Sequence, residues 1–120
     1  MRIRINNNST ISYIEGGYII SLGAKPRPDI SRADKLRVDL AHEIAHTELP
    51  IPNGYGWNCL ETVSCEIAAW ILAVRGLSPI NESEFHYIEH CIGSYTHALG
   101  NEESVRIMLE EYIRPCVKRE

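Results

Sequence analysis

Asp39-Leu40-Ala41-His42-Glu43-Ile44-Ala45-His46 is the stretch on which both fold and chemistry turn. Its His-Glu-x-x-His pattern places two imidazoles four residues apart, which on a helix is one turn along the same face. Two imidazoles so placed can hold one Zn²⁺ at about 2.0–2.1 Å per Zn–N bond. Glu43 stands beside that face, within reach of a water on the metal. Zinc lowers the pKa of such a water from about 15.7 toward about 7, and a carboxylate can then take its proton. The five-letter pattern needs a helix to mean this, so its flanks decide the reading.

The flanks support a helix. Ser31 is a candidate N-cap, with Asp34 at the third helical position near the positive helix end. The helix is expected over residues 32–49, stopping before Pro50, because proline disfavours helical geometry in the residue before it. Leu36, Leu40, Ala41, Ile44 and Ala45 give it an apolar side. Residues 50–57 read as a loop. Asn58 then suits the cap of a second helix, with Glu61 three residues on as a capping box. Leu60, Val63, Ile67, Trp70, Ile71 and Val74 mark its buried side, and Gly76 suits its end. Ala68, Ala69 and Ala73 are small enough to let another helix approach.

Glu66 lies within this apolar run. A buried, unpaired carboxylate is costly, and a metal ion would be a partner for it. As third ligand, Glu66 would complete a His₂Glu set that leaves a fourth position for water. Glu61 is the competing carboxylate, although capping accounts for it more simply.

Upstream, residues 1–23 read as β-structure. Ile3 and Ile5 alternate with arginines, and the runs 10–14 and 18–22 flank Glu15-Gly16-Gly17, a hairpin signal. Downstream, Ser83 or Asn81 can cap a third helix reaching about Leu99. Asn101 can cap a fourth over 102–113, ended by Pro115, with Val105, Met108, Leu109 and Tyr112 as its apolar stripe. The third helix carries His86-Tyr87-Ile88-Glu89-His90, the reversed zinc pattern His-x-x-Glu-His. It is the lesser metal candidate. Little chain follows to supply a distant donor, although Glu102, Glu103, Glu110 and Glu111 remain, and no alanine-lined glutamate helix comes after it. His86, His90, Tyr55, Tyr95 and His97 are candidates to stabilise an oxyanion. A solvated helix face is the plainer account of His86 and His90.

At 120 residues the chain is expected to form one domain, 1–120. A net charge of −4 without a basic run argues against a nucleic-acid partner. No apolar run reaches the roughly 18 residues of a membrane span. Met1-Arg2-Ile3-Arg4-Ile5 lacks the apolar core of a signal peptide, so a cytoplasmic protein is expected. Cys59, Cys65, Cys91 and Cys116 show no C-x-x-C spacing, and free, mostly buried thiols are the expected state.

Taken together, Gly17-Tyr18-Ile19-Ile20-Ser21-Leu22, Leu36 through His46, and Glu66-Ile67-Ala68-Ala69-Trp70-Ile71-Leu72 resemble the gluzincin metallopeptidases. The likeness is to the ImmA/IrrE-type domain and to the very small minigluzincins and selecase-like proteins. It covers roughly residues 13–77, and the second helix lacks the usual Glu-Ala-Asn wording. The resemblance implies His42, His46 and Glu66 as zinc ligands and Glu43 as general base and acid. It also implies that strand 18–22 lies beside the cleft, where an extended peptide could pair with its backbone.

The expected fold is α+β: a small β-sheet with an N-terminal hairpin, packed on the His-Glu-x-x-His helix and the glutamate-bearing helix, followed by C-terminal helices. The expected function is zinc-dependent hydrolysis of peptide bonds in a peptide or protein substrate. Small gluzincins are often latent or self-inhibited, so a blocked cleft or self-association fits the resemblance. One alternative is a non-catalytic zinc-binding module that regulates or binds a protein. Another is a metal-free scaffold whose stability ignores chelators.

Overall fold

The helix that carries the motif starts at its expected cap. The structure, a computed structural model, describes residues 2–6, 10–14, 17–23, 26–49, 60–94 and 102–118. Helix α1 spans Arg32–Ala45; Ser31 is extended, and its hydroxyl accepts the Asp34 amide at 3.1 Å. The helix ends at Ala45, with His46 as C-cap, short of the expected residue 49. Thr47 explains the early stop. Its hydroxyl and its amide both donate to the Ile44 carbonyl, while the Glu48 and Leu49 amides converge on Ala45 O. Orphan carbonyls are thereby satisfied in tightened turns instead of a further helical turn.

Three strands precede α1: β1 Arg2–Asn6, β2 Thr10–Ile14 and β3 Gly17–Gly23. Their order is β1-β3-β2. Strand β1 runs parallel to β3, from Arg2 opposite Ile19 to Asn6 opposite Gly23, and β2 runs antiparallel, from Thr10 opposite Ser21 to Ile14 opposite Gly17. Strand β3 is therefore in the middle. This corrects the expectation that strand 18–22 offers its backbone to an extended peptide, because both of its edges are already engaged. Strand β3 packs on α1, and Ile20 and Leu22, two residues apart on one face, are buried.

Helix α2, Leu60–Leu77, runs one residue beyond Gly76; its expected cap, Asn58, lies outside the described residues. Helix α3 spans Glu82–Gly93, shorter than expected, with Ser94 as C-cap. Its N-cap is Asn81, which accepts the Glu84 amide at 2.8 Å while Glu84 accepts the Asn81 amide at 3.0 Å. Glu84 is also buried against Arg37 of α1, whose Nη1 donates to both carboxylate oxygens at 2.8–2.9 Å. Arg37 reaches the Leu77 carbonyl as well, so one guanidinium ties α1 to the end of α2 and the start of α3.

Helix α4, Glu102–Met108, continues through a π turn, Leu109–Ile113, and a 3₁₀ turn, Arg114–Cys116. The wider π turn moves the inward position by one residue. Ile113 is fully buried, and Tyr112, expected on the apolar stripe, is 46% exposed. The result is an α-helical fold with a short strand against its first helix and further helices at its C-terminal end. Val63, Ile67 and Val74 of α2 meet Phe85, Ile88 and Ile92 of α3 in the main apolar core. No helix among the described residues is long and apolar enough to cross a membrane.

Candidate metal centre

Helix α1 buries its polar side. Lys35, Asp39, His42, Glu43 and His46 are all at most 9% exposed, whereas Ile44, counted on the apolar side, is 41% exposed. Leu36, Leu40 and Ala41 are only half-buried. Charged and polar side chains inside a small domain each need a partner, since an unpaired one costs several kcal/mol. The partners come from β3, α2 and α3.

Helix α2 supplies the partner of the histidines. Its Ala69 and Ala73 pack on Ala45 and Ala41 of α1, and these small side chains bring the two helices together. Ala68 is half-buried. Just under one turn before Ala69, Glu66 is 3% exposed and faces both imidazoles. Its Oε2 lies 2.9 Å from His42 Nε2 and 3.2 Å from His46 Nε2. The ligating atoms of His42, His46 and Glu66 lie within 4.8 Å of one another.

The two histidines are held differently. His46 Nδ1 donates to the Leu49 carbonyl at 3.0 Å and its Nε2 to Glu66 Oε2 at 3.2 Å, so the ring is already oriented for a metal that would replace the Nε2 proton. His42 Nε2 is buried and, despite its short distance to Glu66, has no partner in hydrogen-bond geometry among the described residues. The His42 ring lies flat on the Trp70 indole, with centroids 3.8 Å apart and planes at 5°.

An orphaned buried imidazole nitrogen beside a second imidazole nitrogen and a carboxylate oxygen is a donor set that fits a divalent zinc ion. All three are zinc donors, and His₂Glu is a known catalytic set.

Electrostatics agree with a cation site. Burial opposes the ionisation of Glu66, but the adjacent His42 and His46 rings outweigh it and hold the carboxyl at about 2. Burial lowers the His42 pKa despite Glu66, which favours the neutral ring a metal needs. Burial also acts to lower His46, but its bonds to Glu66 and Leu49 prevail and raise it. Burial pushes Glu43 up to about 7; its neighbour His46 pulls the other way. A divalent cation at the three donors would draw that value down.

One turn before His42 lies a second buried polar group, which sequence reasoning missed. Asp39 accepts from Lys35 Nζ at 2.9 Å and from the Tyr87 hydroxyl at 2.5 Å, and Lys35 Nζ also donates to the Gly23 carbonyl at 3.0 Å. This group ties α1 to the end of β3 and to α3. The signal available was Lys35-x-x-x-Asp39, a helical i,i+4 ion pair. Its partner Tyr87, 48 positions away, left no local trace. Burial raises the Tyr87 pKa above the usual tyrosine range, and nearby Cys91 and Asp39 add to it.

The reversed pattern is elsewhere. His86 and His90 are exposed on α3, and the His86 ring lies 3.7 Å from Glu82 and 3.6 Å from Glu89 of its own helix. Among the described residues, His42, His46 and Glu66 form the one cluster with metal-binding spacing. Glu103, Glu110 and Glu111 are exposed. Tyr55, Tyr95 and His97, expected oxyanion donors, lie outside the described residues, as do Cys59 and the side chains of Glu61 and Glu102. Cys65, Cys91 and Cys116 are free and half-buried. No protein-family model, curated protein or solved structure matches the chain.

Proposed function

We propose that the protein is a zinc-dependent peptidase of gluzincin type, in which His42, His46 and Glu66 hold the metal and Glu43 moves the proton. The observation that carries this reading is the convergence of three buried donors from α1 and α2, next in sequence and space to Glu43, whose carboxyl lies 3.8 Å from His42 Nδ1. Zinc in this place would polarise a substrate carbonyl and acidify a water. Glu43 then takes the proton of the attacking water and returns it to the departing amine nitrogen. Amide bonds as the target, and the α+β class with the sheet as a layer on α1, follow from the likeness of residues 17–22, 36–46 and 66–72 to gluzincins.

The test is Glu43→Gln, which keeps shape and removes the base. It should retain zinc and lose about 10²–10⁴-fold in peptide cleavage, as expected for general acid–base catalysis. Cleavage equal to the parent's, with zinc retained, overturns the mechanism. One observation favours a second reading, a non-catalytic zinc module: all three donors and Glu43 are buried. Stoichiometric zinc without cleavage of any peptide in a fluorogenic library would select that reading.

A further inference from the structure

His42 and His46 differ in what fixes their rings. Metal-ligating histidines usually donate the second ring nitrogen to a carbonyl or carboxylate, which sets both tautomer and ring plane. His46 does this through Leu49. Among the described residues His42 has no such acceptor: its Nδ1 is 3.8 Å from the Glu43 carboxylate, beyond hydrogen-bond range, and its Nε2 points toward Glu66. What touches the His42 ring over its whole face is Trp70, parallel to within 5° at 3.8 Å. Trp70 is 3% exposed, and its indole N–H has no hydrogen-bond partner among the described residues. Buried tryptophans ordinarily satisfy that N–H, so Trp70 contributes through its ring face. It follows Glu66 by four residues, so one face of α2 presents the carboxylate donor and, a turn later, the aromatic plate.

We propose that Trp70 is a positioning residue: it sets the plane of the His42 imidazole by stacking, in place of the kind of hydrogen bond that His46 has and that His42 does not have among the described residues. The proposal rests on His42, His46 and Glu66 being a metal site. Stacking fixes tilt but leaves rotation within the plane free, so Nε2 of His42 can swing toward a metal while staying between the helices. The plate also closes one side of the ring to water.

The experiment compares zinc affinity, by competition with a chromophoric chelator, and the visible absorption of the Co²⁺-loaded protein in the parent, Trp70→Leu, Trp70→Phe and His46→Ala. Losing a group that orients a ligand typically costs about 10–100-fold in metal affinity. Trp70→Leu should lose that much and alter the Co²⁺ band, which reports ligand geometry and is insensitive to a general loss of core packing. Trp70→Phe keeps a ring face and should restore both. Leucine with parental affinity and band overturns the proposal while leaving the metal site standing. Phenylalanine no better than leucine also overturns it. If His46→Ala binds metal as tightly as the parent, the metal site itself is wrong and the proposal falls with it. Should Trp70→Leu not fold, the Trp57→Phe protein serves: its emission comes from Trp70 alone and should be quenched by Co²⁺, and unchanged emission overturns the stack.

Discussion

Two histidine pairs in this chain share a spacing and part company in everything else. His42–His46 and His86–His90 each lie one helical turn apart with a glutamate between them. The first pair is buried, at 8% and 3% exposure, and meets a carboxylate from another helix. In the second, the His86 side chain is 57% exposed and has glutamates of its own helix for neighbours, one of which, Glu82, is already engaged by Arg114 at 3.0 Å. Spacing thus supplies two donors, and tertiary structure supplies the rest. Water competes for an exposed pair, and long side chains beside it are free to move. A buried pair facing Glu66 has neither handicap. The alanines of α2 make the difference, because they let a second helix come close enough to lend its carboxylate.

The sharpest test of this contrast is metal stoichiometry after zinc reconstitution. His46→Ala should lose bound zinc, while His90→Ala should keep the parental equivalent; the reverse outcome would move the site to α3. Next in size is stability. Asp39→Ala strips the carboxylate from buried Lys35 and should cost about 3–5 kcal/mol in chemical denaturation, as broken buried ion pairs do. His86→Ala, on the exposed pair, should stay within about 0.5 kcal/mol. A small loss for Asp39→Ala would mean that the polar side of α1 is less dependent on its partners than its burial implies.

The smallest effect concerns the two sides of α3. Burial pushes the Cys91 thiol up to about 11, with the Tyr87 hydroxyl pulling the other way. The thiolate is the reactive form, so its fraction should rise about tenfold per pH unit below that value. Alkylation of Cys91 by iodoacetamide, followed by mass spectrometry, should be slow at pH 7 and accelerate accordingly up to pH 9. A rate that is flat over this range would contradict a thiol held neutral on the inner side.

Local signals made much of this legible. Ser31 and Asp34 fixed the start of α1, and His-Glu-x-x-His named three of the four residues at the candidate centre. Glu66 was readable because a carboxylate among Ile67, Ala68 and Ala69 lacks any local reason to be there. The inward face of α1 was misread. Apolar periodicity put Ile44 on the apolar side of the helix, whereas the interior takes Lys35, Asp39, Glu43 and both histidines, each matched by a partner remote in sequence or by its neighbours at the centre. Hydrophobic patterning carries no information about such pairings. The order of the strands was equally hidden: alternation marks a strand, but nothing local says that β3 takes the centre. The π turn escaped too, so Tyr112 was placed where Ile113 belongs.

Helix α1 is C-capped by His46, and this has an electrostatic consequence of its own. The aligned peptide units of a helix leave the equivalent of about half a negative charge on its last carbonyls, felt within the final turn. His42 is in that turn and His46 closes it. The backbone therefore adds a fixed negative field to that of Glu66, at no cost in side-chain ordering. A cation gathered there would be attracted by the helix itself, before any ligand bond is counted.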